Sequence, residues 1–336
     1  MTVAVKRVKD DIAGAVSAAM EAADYRSHIP PGSTVFLKVN LGWDLFIPGS
    51  ITNPAVFEGV VRQLAGYARK LYVVESDQVL ENVQRAYEKS KIREIAERLG
   101  VEWVNLSRVP HTMIRVPGNR VIQDVPVPKI LTEGLLVTLP VMKTHNKTVV
   151  TLSLKNQWGC IPRMRHMYHL RLTEAISDVN LALRPRFAVV DGTIALEGKA
   201  PKTGRPREVG IVGAGGDLVE VDSVFARLMG FDPRGIPHLV EAQERGLGRI
   251  GTVFIGDALE PIEPFLPARH NIVSRIEMGL RTSFLRRLAF EPPLFWGMLL
   301  GAKIYYLLFE VIRGRRIRKR IRRHRLYGKY FEKPDA

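Results

Sequence analysis

STVFLKVNLGWDLFIPGSITNPAVFEGVVRQLAGYARKLYVV, residues 33–74, is the stretch that decides the fold. Ser33 to Lys38 has the β-branched and aromatic composition of a buried strand. Asn53-Pro54 opens a helix, a capping side chain followed by a residue suited to the first helical position. Phe57, Val60, Val61, Leu64 and Tyr67 then recur on one helical face, and Leu71 to Val74 is a strand again. Working outward, residues 10–24 form an amphipathic helix with acidic residues in its first turn. Residues 80–99 form one long charged helix ended by Gly100, and Val101 to Asn105 a further strand. Strand and helix alternating at this spacing predict an α/β fold: a largely parallel, doubly wound-type sheet with flanking helices.

Farther along, Pro117-Gly118-Asn119 marks a hairpin turn in a proline-rich stretch, and Leu135 to Leu139 is a buried strand. After Pro140 the chain turns polar, with Lys143, His145 and Lys147 alternating, then returns to strand composition from Thr148 to Ser153. A helix at 172–183, a strand from Phe187 to Val190, a mobile loop at 192–207, helices at 218–229 and 237–246 and a last strand from Thr252 to Ile255 complete the core. GAGGD at 213–217 lacks the spacing of a dinucleotide fingerprint. The expected division is a core over residues 1–270, as one body or two lobes, and a helical, basic, partly apolar extension over 271–336.

With 46% apolar and 25% charged residues, general disorder is excluded. The single cysteine, Cys160, excludes an intramolecular disulfide framework and a cysteine-held iron–sulfur cluster. An N-terminus without a long apolar run predicts a cytoplasmic protein. The net charge of +16 is unevenly placed: Lys303 to Ala336 holds twelve Lys or Arg against Glu310, Glu332 and Asp335. A partner selected by charge is therefore a partner of the tail.

Ligands of open parallel sheets bind beyond the carboxyl ends of the strands. Four such ends deliver polar groups here: Lys38 and Asn40; Glu75, Ser76 and Asp77; Lys143 and His145; Asp191, with Glu197 soon after. Plainer readings stand beside these. Lys38 ends a solvated strand, Asn40 and Asn53 cap turns or helices, and Glu75 and Asp77 pair with nearby lysines. His111, His238 and His270 are surface or structural, and Trp158 and Cys160 belong to the core. His166 and His169, three apart, suit one helical face and hence metal ligation, but without a cysteine pair or a clear third ligand no metal site is expected; the alternative is a divalent metal held by His166, His169, Asp191 and Glu197.

The segments KVNL (38–41), TNPAV (52–56), ESD (75–77), MKTH (142–145), TLSLKNQWG (151–159), VVDG (189–192) and LMGFDP (228–233) resemble, in this order, the DUF362 family of uncharacterised bacterial and archaeal proteins. The resemblance covers about residues 33–250. It implies an α/β core and a site containing Lys38, Asn40, Lys143, His145, Lys155, Asn156, His169 and Asp191. Many members of that family carry an appended ferredoxin-type cysteine domain, and this chain has none.

Val273 to Phe290 has the spacing of a basic amphipathic helix, with Arg286 and Arg287 off its apolar face. Leu294 to Ile312 is mostly apolar but contains Trp296, a central Lys303 and Glu310. Its apolar side chains contribute roughly −3 to −6 kcal/mol to insertion and the lysine opposes with about +3, too close to zero for a span. Nine Lys or Arg follow between Arg313 and Arg325, among them Arg315, Arg316, Arg318, Lys319 and Arg320. Beside an apolar segment, such a cluster suits anionic lipid; nucleic acid is the rival partner, and a core-packed helix with a solvated basic tail the plainest reading.

These residues predict an enzyme that performs acid/base chemistry on a small carboxylate or phosphate, attached peripherally to the inner face of a membrane. Lys38, Lys143 and Lys155 would neutralise the anion, with Asn40, Asn156, Glu75 and Asp77 contributing to its binding. His145 or His169 would move a proton, and Asp191 would orient a histidine. The alternatives are a non-catalytic metabolite- or metal-binding scaffold and a nucleic-acid-associated protein.

Overall fold

The computed structural model of the chain describes residues 2–44, 47–79, 82–270, 275–276, 279 and 294–331. In chain order the first elements are β1 (Ala4–Arg7), α1 (Ile12–Ala22), α2 (Tyr25–His28), β2 (Thr34–Val39), α3 (Pro54–Leu64), β3 (Lys70–Glu75), α4 (Val83–Glu88), α5 (Lys91–Arg98) and β4 (Glu102–Asn105). The hairpin β5 (His111–Arg115) and β6 (Asp124–Pro128) follows, then β7 (Leu135–Leu139), β8 (Val141–His145), β9 (Val149–Thr151), α6 (Ser153–Asn156) and α7 (Leu172–Leu183). β10 (Phe187–Glu197), β11 (Arg205–Gly215), α8 (Leu218–Leu228), α9 (Pro237–Glu244) and β12 (Ile255–Gly256) close the core.

The main sheet runs β12-β1-β11-β10-β7-β2-β3-β4, with β8 on β10 and β9 on β8. The pairs β2–β3, β2–β7, β3–β4 and β7–β10 are parallel, which confirms the largely parallel α/β fold. Alternation along β2 sends Val35, Leu37 and Val39 to a core with α1, α3 and α5, and Phe36 to a second core with α7, α8 and α9. Lys38 has the parity of Phe36, so it points to the second face at the carboxyl end of its strand.

Three local expectations change. The helix over 80–99 is two, because the Ser90 hydroxyl binds back to the Tyr87 carbonyl and the chain turns there before α5 begins. Residues 192–207 are only in part a loop: β10 continues to Glu197 and pairs antiparallel with β11, bulging between Gly192 and Ile194, and the loop is confined to 198–204. The polar run after Pro140 is itself a strand, β8, whose Lys143 pairs with Thr151 of β9. The Asn53 cap is as expected, its side chain accepting from the Ala55 amide. Gly118 provides its turn at φ +82°, within a connection longer than a tight hairpin.

Leu294–Phe309 is a helix, continued through Glu310–Gly314 and Arg315–Arg322. Its inner face reaches the core through Ala302, Tyr306 and Phe309, and beyond it Tyr327 and Phe331 are buried with α1 and α3. Among the described residues no helix is long and apolar enough to cross a membrane. The helix expected over Val273–Phe290, with Arg286 and Arg287, lies outside the described residues apart from positions 275–276 and 279.

Candidate anion site at the strand ends

Lys38 is fully buried, its ammonium 2.8 Å from Glu75 Oε2 and 2.8 Å from the Val39 carbonyl. The other Glu75 oxygen accepts from the Ser76 amide. Lys38 is thus taken up by Glu75, and the pair forms the floor of the site. Gly159 lies against this floor: a β-carbon there would sit 2.5 Å from Glu75 Oε1 and 2.8 Å from Lys38 Nζ.

Lys143, buried on β8, donates to Asn40 Oδ1 at 2.8 Å and to the Ser50 carbonyl at 2.8 Å. Asn40 Nδ2 donates to Asn156 Oδ1, and Asn156 Nδ2 to the Lys38 carbonyl and Thr138 Oγ1. Four segments distant in sequence thus share one hydrogen-bonded chain. Both oxygens holding Lys143 are neutral. Burial, with Lys202 and Lys38 adding repulsion against the pull of Glu75 and Asp191, pushes its ammonium down to about 7.

Lys155 lies on α6, whose first amides, Ser153 and Leu154, donate to the buried carboxylate of Asp222. Among the described residues its ammonium has no hydrogen-bond acceptor, and it lies 5.5 Å from the Trp158 ring centroid. Loss of hydration, then the charges of Arg165, Lys147, Lys143 and Lys38, pushes it down to about 7 as well.

His145 accepts the Lys147 amide at Nδ1, so its hydrogen resides on Nε2. Burial and the surrounding charges of Lys155, His169, Lys147 and Lys143 hold it well below the usual imidazole range. This favours the neutral imidazole, which presents Nε2–H as a hydrogen-bond donor. Lys147 Nζ lies 2.9 Å from His169 Nδ1, and the His169 ring stacks toward Trp158. Opposite His145 in the β8–β9 hairpin, Val149 has φ +63°, a costly conformation for a β-branched residue.

The remaining expected residues serve the backbone. Asp191 accepts from the Asn53 amide at 2.7 Å and from the Thr193 amide and hydroxyl, so it anchors the start of α3 rather than orienting a histidine. Burial raises it to about 6. Asp77 accepts from the Val83 amide. Glu197 is paired with Arg205 and Arg207. Among the described residues no three histidine, cysteine, aspartate or glutamate side chains are grouped to hold a metal ion, so His169, Asp191 and Glu197 do not come together. The His166 side chain lies outside the described residues.

Two groups at the cluster were not singled out from sequence. Arg165 is buried and donates to Ser76 Oγ and to the carbonyls of Asp77 and Ile161. Lys202 comes from the β10–β11 connection, and nothing local announces its proximity to Lys143.

A mostly parallel α/β body with a cationic strand-end cluster defines the class, and comparison with known proteins places it further. The family described as a domain of unknown function, DUF362, matches residues 35–227, and the chain belongs to that family. A thylakoid-associated protein of Synechocystis sp. is 31% identical over 121 residues, which are 34% of this chain and 38% of that protein. The match therefore spans well under half the relative's length. A crystal structure of a Thermotoga maritima protein aligns with 71% of this chain and 60% of its own at 14% identity and a TM-score of 0.34, too slight a likeness to carry an argument.

Proposed function

We propose that this protein binds a small carboxylate or phosphate at the strand-end cluster, performs acid/base chemistry on it, and rests on an anionic membrane surface through its C-terminal region. The observation that carries the first part is the surplus of cations around Lys143: Lys38 and Lys202 act on it against the carboxylates of Glu75 and Asp191, and Lys155 feels the charge of Lys143 in turn. An arriving anion supplies the countercharge that Lys143 and Lys155 lack. His145 Nε2–H would donate to an oxygen of the ligand, and an amine in its neutral form would take the proton. Lys38 sets the geometry through Glu75 rather than spending its charge on the ligand.

Sulfate and phosphate binding to the full chain, followed by calorimetry, tests this reading. Lys143→Ala and Lys155→Ala should each weaken it ~10-fold or more, the range of a lost charge-assisted hydrogen bond. Equal affinity in both folded variants would remove the site.

Membrane attachment is supported by the outward face of the helix Leu294–Phe309, where Trp296, Leu300 and Leu307 are about 60% exposed (63%, 60% and 62%). Exposed basic residues such as Arg315, Arg316, Lys319 and Arg320 follow directly. The name of the Synechocystis relative is in keeping with this reading. Nucleic acid would use the arginines but not the apolar stripe.

A further inference from the structure

The loop that holds Lys143 also holds the C-terminal helix. Lys143 takes its two acceptors from Asn40 and Ser50. Between them, Trp43 packs edge-on against Tyr306 of that helix, ring centroids 4.7 Å apart, and Ile47 joins Leu196 and Ala200 beneath Phe309 and Ile317. Lys202 closes the junction. Its ammonium lies 4.8 Å from the Trp43 ring centroid and 5.3 Å from that of Tyr306, while its charge is felt at Lys143.

The other side of the same helix is the exposed apolar stripe of Trp296, Leu300, Ile304, Leu307 and Val311. Consecutive members are three or four residues apart, so the stripe is continuous. One side of the helix therefore packs on the loop that holds Lys143, and the other suits a bilayer. A stripe of this kind, running into exposed arginines, is complementary to anionic lipid: acyl chains for the stripe, headgroup charge for the collar.

We propose that the anion read by the cluster is the headgroup of a membrane-borne amphiphile, of phosphate or carboxylate type, whose apolar tail stays with the bilayer along the stripe. This rests on the anion-site and membrane readings above and adds where the anion comes from. The shared chemistry is an anionic oxygen group beside Lys143 and Lys155. A free metabolite and a lipid would both offer it. The geometry favours the lipid because the loop supplying the acceptors of Lys143 is seated on the helix bearing the stripe.

Labelling of the full chain by acetic anhydride, read at Lys143 and Lys155 by mass spectrometry, separates the sources. The probes are inorganic phosphate, dihexanoyl phosphatidate below its micellar concentration, phosphatidylcholine vesicles, and the same vesicles containing phosphatidate, all phosphate-matched. Vesicles with phosphatidate should protect both lysines ~10-fold better than inorganic phosphate, with phosphatidylcholine alone giving no protection. A Leu300→Glu/Leu307→Glu variant, altered only at exposed positions, should lose protection by vesicles and keep that by dihexanoyl phosphatidate. Equal protection by inorganic phosphate would overturn the amphiphile and leave the anion site standing. Equal protection by phosphatidylcholine would reduce the effect to occlusion and also overturn it. No protection by any anion would remove the site itself. Vesicle protection that survives in the variant would mean the stripe faces another occupant, such as a second copy of this chain, and would end the proposal.

Discussion

Lys143 is the residue on which the proposed anion binding turns, because its buried ammonium is held by an amide oxygen and a carbonyl rather than by a carboxylate. Its value in the folded protein, about 7, lies below the ordinary 10.5. Between these two values the unfolded chain holds a proton that the folded protein has released. The contribution of this group to stability therefore rises with pH across that window, and is least below about pH 7. An anion reverses the balance by favouring the charged form. Sulfate, which does not titrate here, should bind with proton uptake near pH 8, and its affinity should fall as pH rises past about 7, with a slope near −1 per participating lysine. Calorimetry in buffers of different ionisation enthalpy reads this, and binding without proton exchange would rule out Lys143 and Lys155 as the receiving charges. Gly159 gives a steric test of the same site. A methyl group would crowd both members of the Lys38–Glu75 pair, so Gly159→Ala should cost about 1–3 kcal/mol in urea unfolding. A change under about 0.5 kcal/mol would mean that the floor is looser than described.

At the scale of elements, α6 is one turn long and owes its position to Asp222 of α8, which accepts its first two amides. Asn156 on that turn binds the Lys38 carbonyl, so Asp222 positions the site without facing it. Asparagine at 222 would present a donor to one of those amides. Asp222→Asn should cost about 1–3 kcal/mol and also weaken sulfate binding; loss of stability with unchanged affinity would make Asp222 a support of the fold alone. The strand β8 shows how such an element escapes a reading by composition. Lys143 and His145 alternate with period two, the spacing of a strand, yet their polarity set the run apart from the strand composition on either side of it. The structure can bury Lys143 there because Asn40 and Ser50, brought by a different segment, satisfy its hydrogens. β11 was hidden in the same way by its glycines, prolines and arginines. Gly213 belongs to that strand because the Phe225 ring packs against it, 2.5 Å from where a β-carbon would stand.

At the scale of the whole molecule, the described C-terminal residues meet the core through the Trp43–Tyr306 contact, through Phe309 and Ile317 against Ile47, Leu196 and Ala200, and through Tyr327 and Phe331 buried with α1 and α3. A double-mutant cycle on Trp43→Leu and Tyr306→Leu should return a coupling of about 0.5–1.5 kcal/mol, the range for an edge-on aromatic pair. A coupling near zero would show the helix resting on the loop without holding it. The α/β class and the largely parallel character of the sheet were determined by the sequence alone; the strand order and its antiparallel β1–β11–β10 edge were not. Periodicity and helix caps are local, and a right-handed crossover leaves few ways to arrange the pieces. What tertiary structure decided was which polar groups meet. Lys38 is matched by Glu75, Lys143 by two neutral oxygens, and Asp191 by a backbone amide. Arg165 and Lys202 join from connections with no local mark of it. Charge, burial and hydrogen-bond partner are properties of neighbours in space, and those neighbours lie up to 138 residues apart along the chain.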